Sequence, residues 1–261
     1  MAMQLQKTAV DNVIIPVTSG VGYAKPSLEV LSCYTCNIKG GCLAEQLTIA
    51  HDHSYQIVKN RKVLSKGDYI FRGGDDAKAI YVVSSGSVKS YMLMENGEEQ
   101  VLNFYMPGDV FGLDAMGGNC HVSSTVALEN ATVCKLPLSG LQDRVLGQGF
   151  LNMIAENLLR DHNLMLMLAR KDADGRLASF LVDMSKRSEK YGYASDDYSV
   201  DVIKLSMTRQ DIANYLGLAI ETVSRALRRF QDSGMLEVTR RKVKIYDYNC
   251  LLAVAGAQVT S

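Results

Sequence analysis

The chain has 261 residues, of which 47% are hydrophobic and 21% are charged; this composition is typical of a globular protein and excludes wholesale disorder. Lys and Arg together number 28, as do Asp and Glu, so the net charge by itself indicates no polyanionic partner. No apolar run has the length of a membrane span, and residues 1–20 lack the basic start and apolar block of a secretion signal. We therefore expect a cytoplasmic protein without membrane contact.

Residues 1–32 are mixed in character and are interpreted as an N-terminal tail. From about 62 to 138, short runs rich in Val, Tyr and Phe are separated by turn signals, and Asn96-Gly97 between two such runs strongly indicates a hairpin. Short strands with frequent turns predict a β-sandwich or roll. We therefore assign residues 33–148 to a sensor domain built on a β-roll.

After Gly149 the hydrophobic pattern changes to alternating steps of three and four, which is typical of a helix with a coiled-coil seam. The seam residues are Leu151, Ile154, Leu158, Met165 and Leu168, and Asp161 occupies the position left between them. This helix either packs on its own roll or pairs with its twin in a homodimer. In a dimer the two Asp161 carboxylates would repel each other in a partly dry interface, which makes the pairing weak and switchable. We assign residues 149–190 to this dimerisation helix and a linker.

The charge is unevenly distributed, because nine Lys or Arg residues but only four acidic residues lie between Lys204 and Tyr246. Within this stretch, Thr208 followed by Asp211 is a helix N-cap signature, and Gly217 supplies a tight turn before a second helix from about 219 to 232. A short basic hairpin follows. We therefore assign residues 191–261, beginning with a polar loop at 191–199, to a winged helix-turn-helix.

The second helix of this module carries the residues expected to contact nucleic acid. Glu221, Ser224 and Arg225 lie together near its N-terminus, the end that enters the major groove, and their side chains suit hydrogen bonding to base edges. Arg228 and Arg229 lie one turn further on and are predicted to contact phosphates. The partner predicted for this surface is double-stranded DNA.

From Arg209 to Leu236 the sequence follows the pattern RxDIxxxLGxxxETVSRxLxxFxxxGxL. A β-roll, a long helix and a winged helix-turn-helix with this pattern resemble, over about residues 33–250, the family of the cyclic-AMP receptor protein and the fumarate–nitrate reduction regulator (the CRP/FNR family). The resemblance implies an α+β fold with an N-terminal roll of the cyclic-nucleotide-binding type. It also implies that Glu221, Ser224 and Arg225 read a half-site like TTGAT, repeated with two-fold symmetry.

The segment that binds a cyclic nucleotide phosphate in some relatives lacks the binding residues in this sequence. Those relatives carry a Gly-Glu-Leu turn followed by Arg-Ser or Arg-Thr. The matching stretch, residues 109–128, lacks the Glu, and no Arg occurs between Arg72 and Arg144. Because an arginine is the usual partner of such a phosphate, we expect no cyclic-nucleotide ligand.

The cysteines suggest another ligand, since in a reducing compartment six cysteines are expected to be free, metal-bound or redox-active. Cys33, Cys36 and Cys42 follow the spacing C-x2-C-x5-C. Thiolates at such spacing can surround an iron–sulfur cluster, and a CxxC pair also serves zinc binding or disulfide exchange.

A cluster requires a fourth ligand, for which Cys120, Cys134 and Cys250 are the candidates. Cys250 follows the DNA-binding module, and Cys120 lies in a Gly-rich loop, whereas Cys134 lies in a predicted strand that would hold a ligand more rigidly. FNR-type regulators also place their fourth ligand in a similar Val-Cys-x-Ile/Leu-Pro stretch. We therefore choose Cys134, and expect Cys120 and Cys250 to be ordinary buried thiols.

The resemblance as a whole implies an oxygen-sensing transcription regulator rather than an enzyme. It implies that Cys33, Cys36, Cys42 and Cys134 hold a 4Fe-4S cluster, which oxygen converts towards a 2Fe-2S form. With the cluster intact, a homodimer would bind palindromic promoter sites and contact RNA polymerase as an activator. The alternative interpretations are a regulator of the same family that senses oxidants through a cysteine disulfide without iron, or one that binds another ligand such as heme.

Overall fold

The computed structural model describes residues 60–139, 148–190 and 201–256, together with Ile38 and Cys42. The predictions made for the N-terminal tail, for Cys33 and Cys36, and for the polar loop at 191–199 lie outside these residues.

The N-terminal part is a β-roll made of two antiparallel four-stranded sheets. Its strands are β1 (Asn60–Leu64), β2 (Tyr69–Phe71), β3 (Ala79–Ser85), β4 (Val88–Leu93), β5 (Glu99–Tyr105), β6 (Val110–Phe111), β7 (Ser124–Ala127) and β8 (Ala131–Pro137). The first sheet has the order β1-β8-β3-β6 and the second the order β2-β7-β4-β5. Apolar side chains from both sheets, among them Leu64, Phe71 and Val88, form a buried cluster inside the roll.

The predicted hairpin is confirmed. Strands β4 and β5 pair in an antiparallel ladder on either side of Asn96-Gly97, and Gly97 has a φ of 82°. Glycine is favoured at this position because a left-handed backbone is accessible to it without a steric penalty.

Two helices follow the roll, α1 (Gln148–Arg170) and α2 (Ala173–Lys190). The carboxylate of Asp172 accepts a hydrogen bond from the backbone N–H of Gly175 at 2.8 Å, which satisfies one of the free donors at the start of α2. The position of α1 confirms the predicted change to a helical period after Gly149. After a short break, α2 continues the helical structure.

The C-terminal part contains six elements, β9 (Asp201–Lys204), α3 (Arg209–Leu216), α4 (Ile220–Asp232), β10 (Leu236–Thr239), β11 (Lys242–Ile245) and α5 (Tyr248–Val254). The basic hairpin predicted after α4 corresponds to β10 and β11, and β9 pairs with β11 as a third strand. Neither β9 nor α5 was predicted, because β9 is a short run beside a polar loop and α5 is only seven residues long.

The predicted start of the helix-turn-helix is present as a capping box. The side chain of Thr208 accepts a hydrogen bond from the N–H of Asp211 at 3.1 Å, and the carboxylate of Asp211 accepts one from the N–H of Thr208 at 2.8 Å. Gly217, with a φ of 61°, ends α3 and makes the tight turn. Within the described part of the chain, no helix has the length and hydropathy needed to cross a membrane.

Candidate functional sites

The helix α4 presents a polar face to solvent. Its apolar residues Val223, Leu227 and Phe230 are buried against the rest of the C-terminal part. Glu221 and Arg225 are exposed, and Ser224 between them is partly exposed. The three residues predicted to read bases therefore lie together on an accessible surface at the N-terminal end of the helix.

The two arginines predicted to contact phosphates differ in their surroundings. Arg228 is exposed, with Nε 3.9 Å from the carboxylate of Asp232 on the next turn. Arg229 forms an ion pair with Asp174 of α2, in which Nε donates to the carboxylate at 3.1 Å. In this conformation Arg229 ties α4 to α2, so a contact with a phosphate would require that pair to open or to be shared.

The basic hairpin lies beside this helix as a wing. Arg240 and Arg241 form the turn between β10 and β11, and both are exposed, as is Lys242 at the start of β11. Their clustered positive charge suits a polyanion.

Two of the four cysteines proposed as cluster ligands are described, and they lie in one buried cluster. Cys134 on β8 is 4% exposed and Cys42 is 7% exposed. Both belong to an apolar cluster on the outer face of the first sheet. Its other buried members are Ile38, Ile80, Val82, Val110, Leu136 and Phe150. The structure thus brings together two thiols that are far apart in the sequence.

The remaining described cysteines lie elsewhere. Cys120 and Cys250 are both exposed, so the prediction that they are buried was wrong. Cys120 lies in the loop before β7, and Cys250 is on the outer side of the short helix α5. Among the described residues, no group of three or more His, Cys, Asp or Glu side chains is arranged to hold a metal ion; Cys33 and Cys36 are not part of that set.

Sequence reasoning did not single out Arg61, which lies beside Cys134. The two residues are directly opposite each other in the antiparallel ladder between β1 and β8. The Nε and Nη2 atoms of Arg61 are buried and have no hydrogen-bond partner among the described residues. No local sequence signal identifies this residue, because its position beside Cys134 depends on the register of the two strands.

Most of the apolar seam of α1 is exposed in the single chain, whereas Leu168 at its C-terminal end is partly buried. Leu151, Leu158 and Met165 are each more than half exposed, and Ile154 is 37% exposed. A different face of the helix contacts the roll, where Phe150 packs in the cluster that contains Cys42 and Cys134. The seam therefore does not face the chain's own roll.

Asp161 lies on the same exposed side of α1 as the seam. Burial raises the pKa of its carboxyl group, and the positive charges of Arg160 and His162 only partly oppose this effect. A carboxylate that is already partly desolvated in one chain would be desolvated further against a second copy.

A buried carboxylate, Asp109, connects the roll to both long helices. Arg187 of α2 donates a hydrogen bond to Asp109 Oδ2, and Arg160 of α1 has Nη2 at 3.5 Å from Asp109 Oδ1. The N–H of Met106 also donates to Oδ2, at 2.8 Å. Asp109 immediately precedes β6, whose Val110 belongs to the cluster around Cys134. Asp109 is thus next in sequence to a residue of the cysteine cluster, and its carboxylate contacts both α1 and α2.

A second ionic contact joins the roll to the helix-turn-helix. Lys89 on β4 is buried, and its Nζ donates to the Asp211 carboxylate of α3 at 2.7 Å. Lys89 also forms an ion pair with Glu99 of β5. Beside it, Gln100 Nε2 donates to the backbone oxygen of Asn214 at 2.7 Å. These contacts fix the first helix of the helix-turn-helix on the β4–β5 hairpin.

The ionic contact shifts the titration of Asp211. Burial by itself would raise the pKa of this carboxyl group, but the hydrogen bonds from Lys89 and Thr208 outweigh burial and hold the pKa below its usual value. The pKa of Lys89 is raised, because its two carboxylate partners outweigh the effect of burial.

A roll, a long helix with an exposed apolar seam, and a winged helix-turn-helix with an exposed polar helix define a DNA-binding transcription regulator. Family models support this class: the cyclic nucleotide-binding domain matches residues 61–146, and the Crp-like helix-turn-helix domain matches residues 175–254. The chain belongs to the CRP/FNR family of transcription regulators.

Curated relatives of the chain include FNR proteins. The fumarate and nitrate reduction regulatory protein of Salmonella typhi is 37% identical over 232 residues, covering 87% of this chain and 91% of that protein. The protein of the same name from Escherichia coli strain K12 is 36% identical with the same coverage. Among solved structures, FixK2 from Bradyrhizobium japonicum matches with a TM-score of 0.67 and 30% identity, covering 77% of this chain and 98% of FixK2. The chain is thus an FNR-like regulator.

Proposed function

We propose that this regulator senses oxygen through a 4Fe-4S cluster held by Cys33, Cys36, Cys42 and Cys134. The observation that carries the proposal is that Cys42 and Cys134, which are distant in sequence, are buried in the same cluster on the outer face of the first sheet. The similarity of the chain to fumarate and nitrate reduction regulatory proteins supports its assignment to this type of regulator.

The described residues fit such a group in their chemistry. Cysteine thiolates are the usual ligands of iron–sulfur clusters, and the surrounding side chains, such as Val82, Leu136 and Phe150, are apolar. An apolar shell limits the access of water and influences the stability of a bound cluster. When bound, the cluster supplies an oxygen-labile covalent tie between the N-terminal cysteine segment and strand β8.

The residues between this site and α1 provide a route for coupling. Cys134 is opposite Val82 of β3, and Val82 in turn is opposite Val110 of β6. Asp109 precedes Val110 and contacts Arg160 of α1. In addition, Phe150 of α1 packs directly in the cysteine cluster. A change in the position of β8 or of the Cys42 segment is therefore expected to change how α1 rests on the roll.

We infer that the exposed seam of α1 pairs with the seam of a second copy. Leu151, Leu158 and Met165 would bury apolar surface that water now contacts. The two Asp161 carboxylates would oppose this pairing, so that the dimer forms only when the roll holds α1 in a favourable position. Two linked modules bind two half-sites much more tightly than one module binds a single half-site.

In the dimer, Glu221, Ser224 and Arg225 would read TTGAT-like half-sites in the major groove, with Arg228 and Arg229 near the phosphates. The bound dimer would contact RNA polymerase and act as an activator. We propose no cyclic-nucleotide ligand for the roll, on the ground that residues 109–128 lack an arginine.

The choice of Cys134 as the fourth ligand is tested by anaerobic reconstitution with iron and sulfide. The Cys134→Ala variant is expected to lose the visible iron–sulfur absorption, because the cluster would lack its fourth thiolate. The matched control is Cys120→Ala, which removes an exposed thiol and is expected to keep the absorption. The opposite pattern would assign the fourth ligand to Cys120.

Iron and sulfide analysis of the same samples tests the sensor itself. Wild-type protein purified without air is expected to contain both elements, and its absorption is expected to change on exposure to air. Protein that binds neither element and forms a Cys33–Cys36 disulfide on oxidation would instead be an oxidant sensor without iron.

A further inference from the structure

Arg61 is placed on the same face of the first sheet as the proposed cluster ligand. In an antiparallel ladder, directly opposite residues project from the same face with Cβ atoms about 5 Å apart. Arg61 is directly opposite Cys134 in the ladder between β1 and β8, so the two side chains project from the same face. Cys134 faces the outer cluster with Val82 and Leu136, whereas the next residue along β8 towards the N-terminus, Val133, faces the interior of the roll.

Arg61 is partly buried, and two of the three nitrogens of its side chain lack a hydrogen-bond partner in the described part of the chain. Its Nε and Nη2 atoms are inaccessible to water and have no hydrogen-bond partner among the described residues. Arginine retains its positive charge in proteins, and a buried charge is strongly unfavourable unless an anion or hydrogen-bond acceptors compensate it. A negative group on this face of the sheet is therefore expected.

We propose that Arg61 is the charge partner of the cluster and sets its redox behaviour; this inference rests on the function proposed above. Four thiolates make a 4Fe-4S centre a net anion, and the potential of such a centre depends on nearby charge and on hydrogen bonds to its sulfurs. Arg61 supplies both a fixed positive charge and unused N–H donors on the face that carries Cys134.

The charge of Arg61 predicts the direction in which this residue changes the oxidation of the cluster. Transfer of one electron from the centre to dioxygen, which becomes superoxide, leaves the protein site one charge less negative. A fixed cation nearby stabilises the more negative state before this transfer. Arg61 therefore opposes oxidation and slows the loss of the cluster in air.

The test compares full-length proteins reconstituted without air, namely the wild type, Arg61→Gln, Arg61→Lys and the control Lys62→Gln. Lys62 also lies on β1 but is opposite Val133, and its Nζ is exposed and donates to the backbone oxygen of Tyr69 at 3.0 Å. The control therefore removes one positive charge from the same strand on the other face. The two measurements are the midpoint potential of the cluster and the rate at which its absorption decays in air.

Arg61→Gln is expected to shift the midpoint potential to more negative values and to accelerate decay several-fold, whereas Arg61→Lys and Lys62→Gln stay close to the wild type. If Arg61→Gln fails to assemble a cluster while Arg61→Lys assembles one, this result also supports the proposal, because it shows that the cluster requires a positive charge at position 61. An unchanged potential and decay rate in Arg61→Gln, with the cluster present, would overturn the assignment of Arg61 alone. A wild-type protein that binds no iron would overturn the proposed function as well.

A purely structural role for Arg61 gives a different result. In that case Arg61→Gln would lower the thermal unfolding midpoint of the cluster-free protein and leave the potential of the reconstituted protein unchanged. Thermal unfolding of each cluster-free variant is therefore measured alongside the potentials, and that combination of results would contradict the proposal.

Discussion

Arg225 lies on the exposed face of α4, one turn after Glu221. An arginine in this position can donate two hydrogen bonds to the edge of a guanine in the major groove, whereas an arginine further along the helix contacts phosphates without regard to sequence. The two roles give different patterns of binding loss.

We expect Arg225→Ala to weaken binding to the preferred half-site by about 1–3 kcal/mol and to relax the base preference at one position. Fluorescence anisotropy with a set of half-sites, each altered at one base pair, measures this directly. Arg228→Ala is the control and is expected to weaken binding to all sites equally. A uniform loss for Arg225→Ala would make Arg225 a phosphate contact.

Substitution of Asp109 is expected to cost considerable stability. It compensates the charge of Arg187, whose side chain is 8% exposed, while Asp109 itself is 3% exposed. Removal of one member of a buried pair leaves the other charge without compensation.

The Asp109→Ala variant is expected to lose about 3–5 kcal/mol of unfolding free energy, measured by urea denaturation. Asp183→Ala is the matched control, because Asp183 contacts the same Arg187 but is 46% exposed. We expect the control to cost less than about 1 kcal/mol. Equal losses in the two variants would show that Asp109 does not carry the charge of Arg187.

At the scale of elements, the β4–β5 hairpin and α3 are held together by Lys89 and Asp211. The hydrogen bond joins two elements that belong to different parts of the fold, and α3 in turn positions α4 through the turn at Gly217. The pair therefore links the roll to the helix-turn-helix that contains α4.

This link is expected to weaken in acid. Because the folded-state pKa of Asp211 is lowered, its contribution to stability is fully present above the unfolded-state pKa of about 4 and is lost as the pH falls through the lower folded-state value. The Lys89→Met variant should therefore be less stable than the wild type at neutral pH, and the difference should shrink below about pH 4. Urea denaturation across this range measures the difference.

The exposed pair of Lys78 and Asp76 provides the control for that experiment. Both side chains are more than two-thirds exposed, so Lys78→Met is expected to have little effect on stability at neutral pH. A difference between wild type and Lys89→Met that does not change with pH would show that the lost stability comes from packing of the Lys89 side chain and not from its charge.

For the whole molecule, the proposed association of two chains depends on the exposed seam of α1 and on the carboxylate of Asp161. Apolar residues on the seam favour association, and Asp161 opposes it because two partly desolvated carboxylates would meet. Removal of the Asp161 carboxylate should leave only the favourable contribution of the apolar seam residues to association.

Asp161→Ala is therefore expected to form dimers and bind a palindromic site in air, whereas the wild type is expected to be mainly monomeric there. Analytical ultracentrifugation gives the association state, and an electrophoretic shift assay gives the binding. Glu156→Ala removes a carboxylate from the same helix at a position outside the seam and should behave like the wild type. An Asp161→Ala protein that stays monomeric would contradict the pairing of the seams.

Features that depend on neighbouring residues could be predicted from the sequence. The capping box of Thr208 and Asp211, the turn at Gly217 and the hairpin at Asn96-Gly97 were all predicted correctly, because each depends on the conformations of a few adjacent residues. The roll, the long helix and the winged helix-turn-helix followed from the change of hydrophobic period along the chain.

Contacts between residues on different elements, in contrast, could be seen only in the folded chain. The position of Arg61 opposite Cys134 and the ion pair of Lys89 with Asp211 join segments separated by many residues. Such contacts depend on strand register and on the packing of one element against another. A one-residue change of register would move Arg61 to the other face of its sheet without altering any local pattern in the sequence.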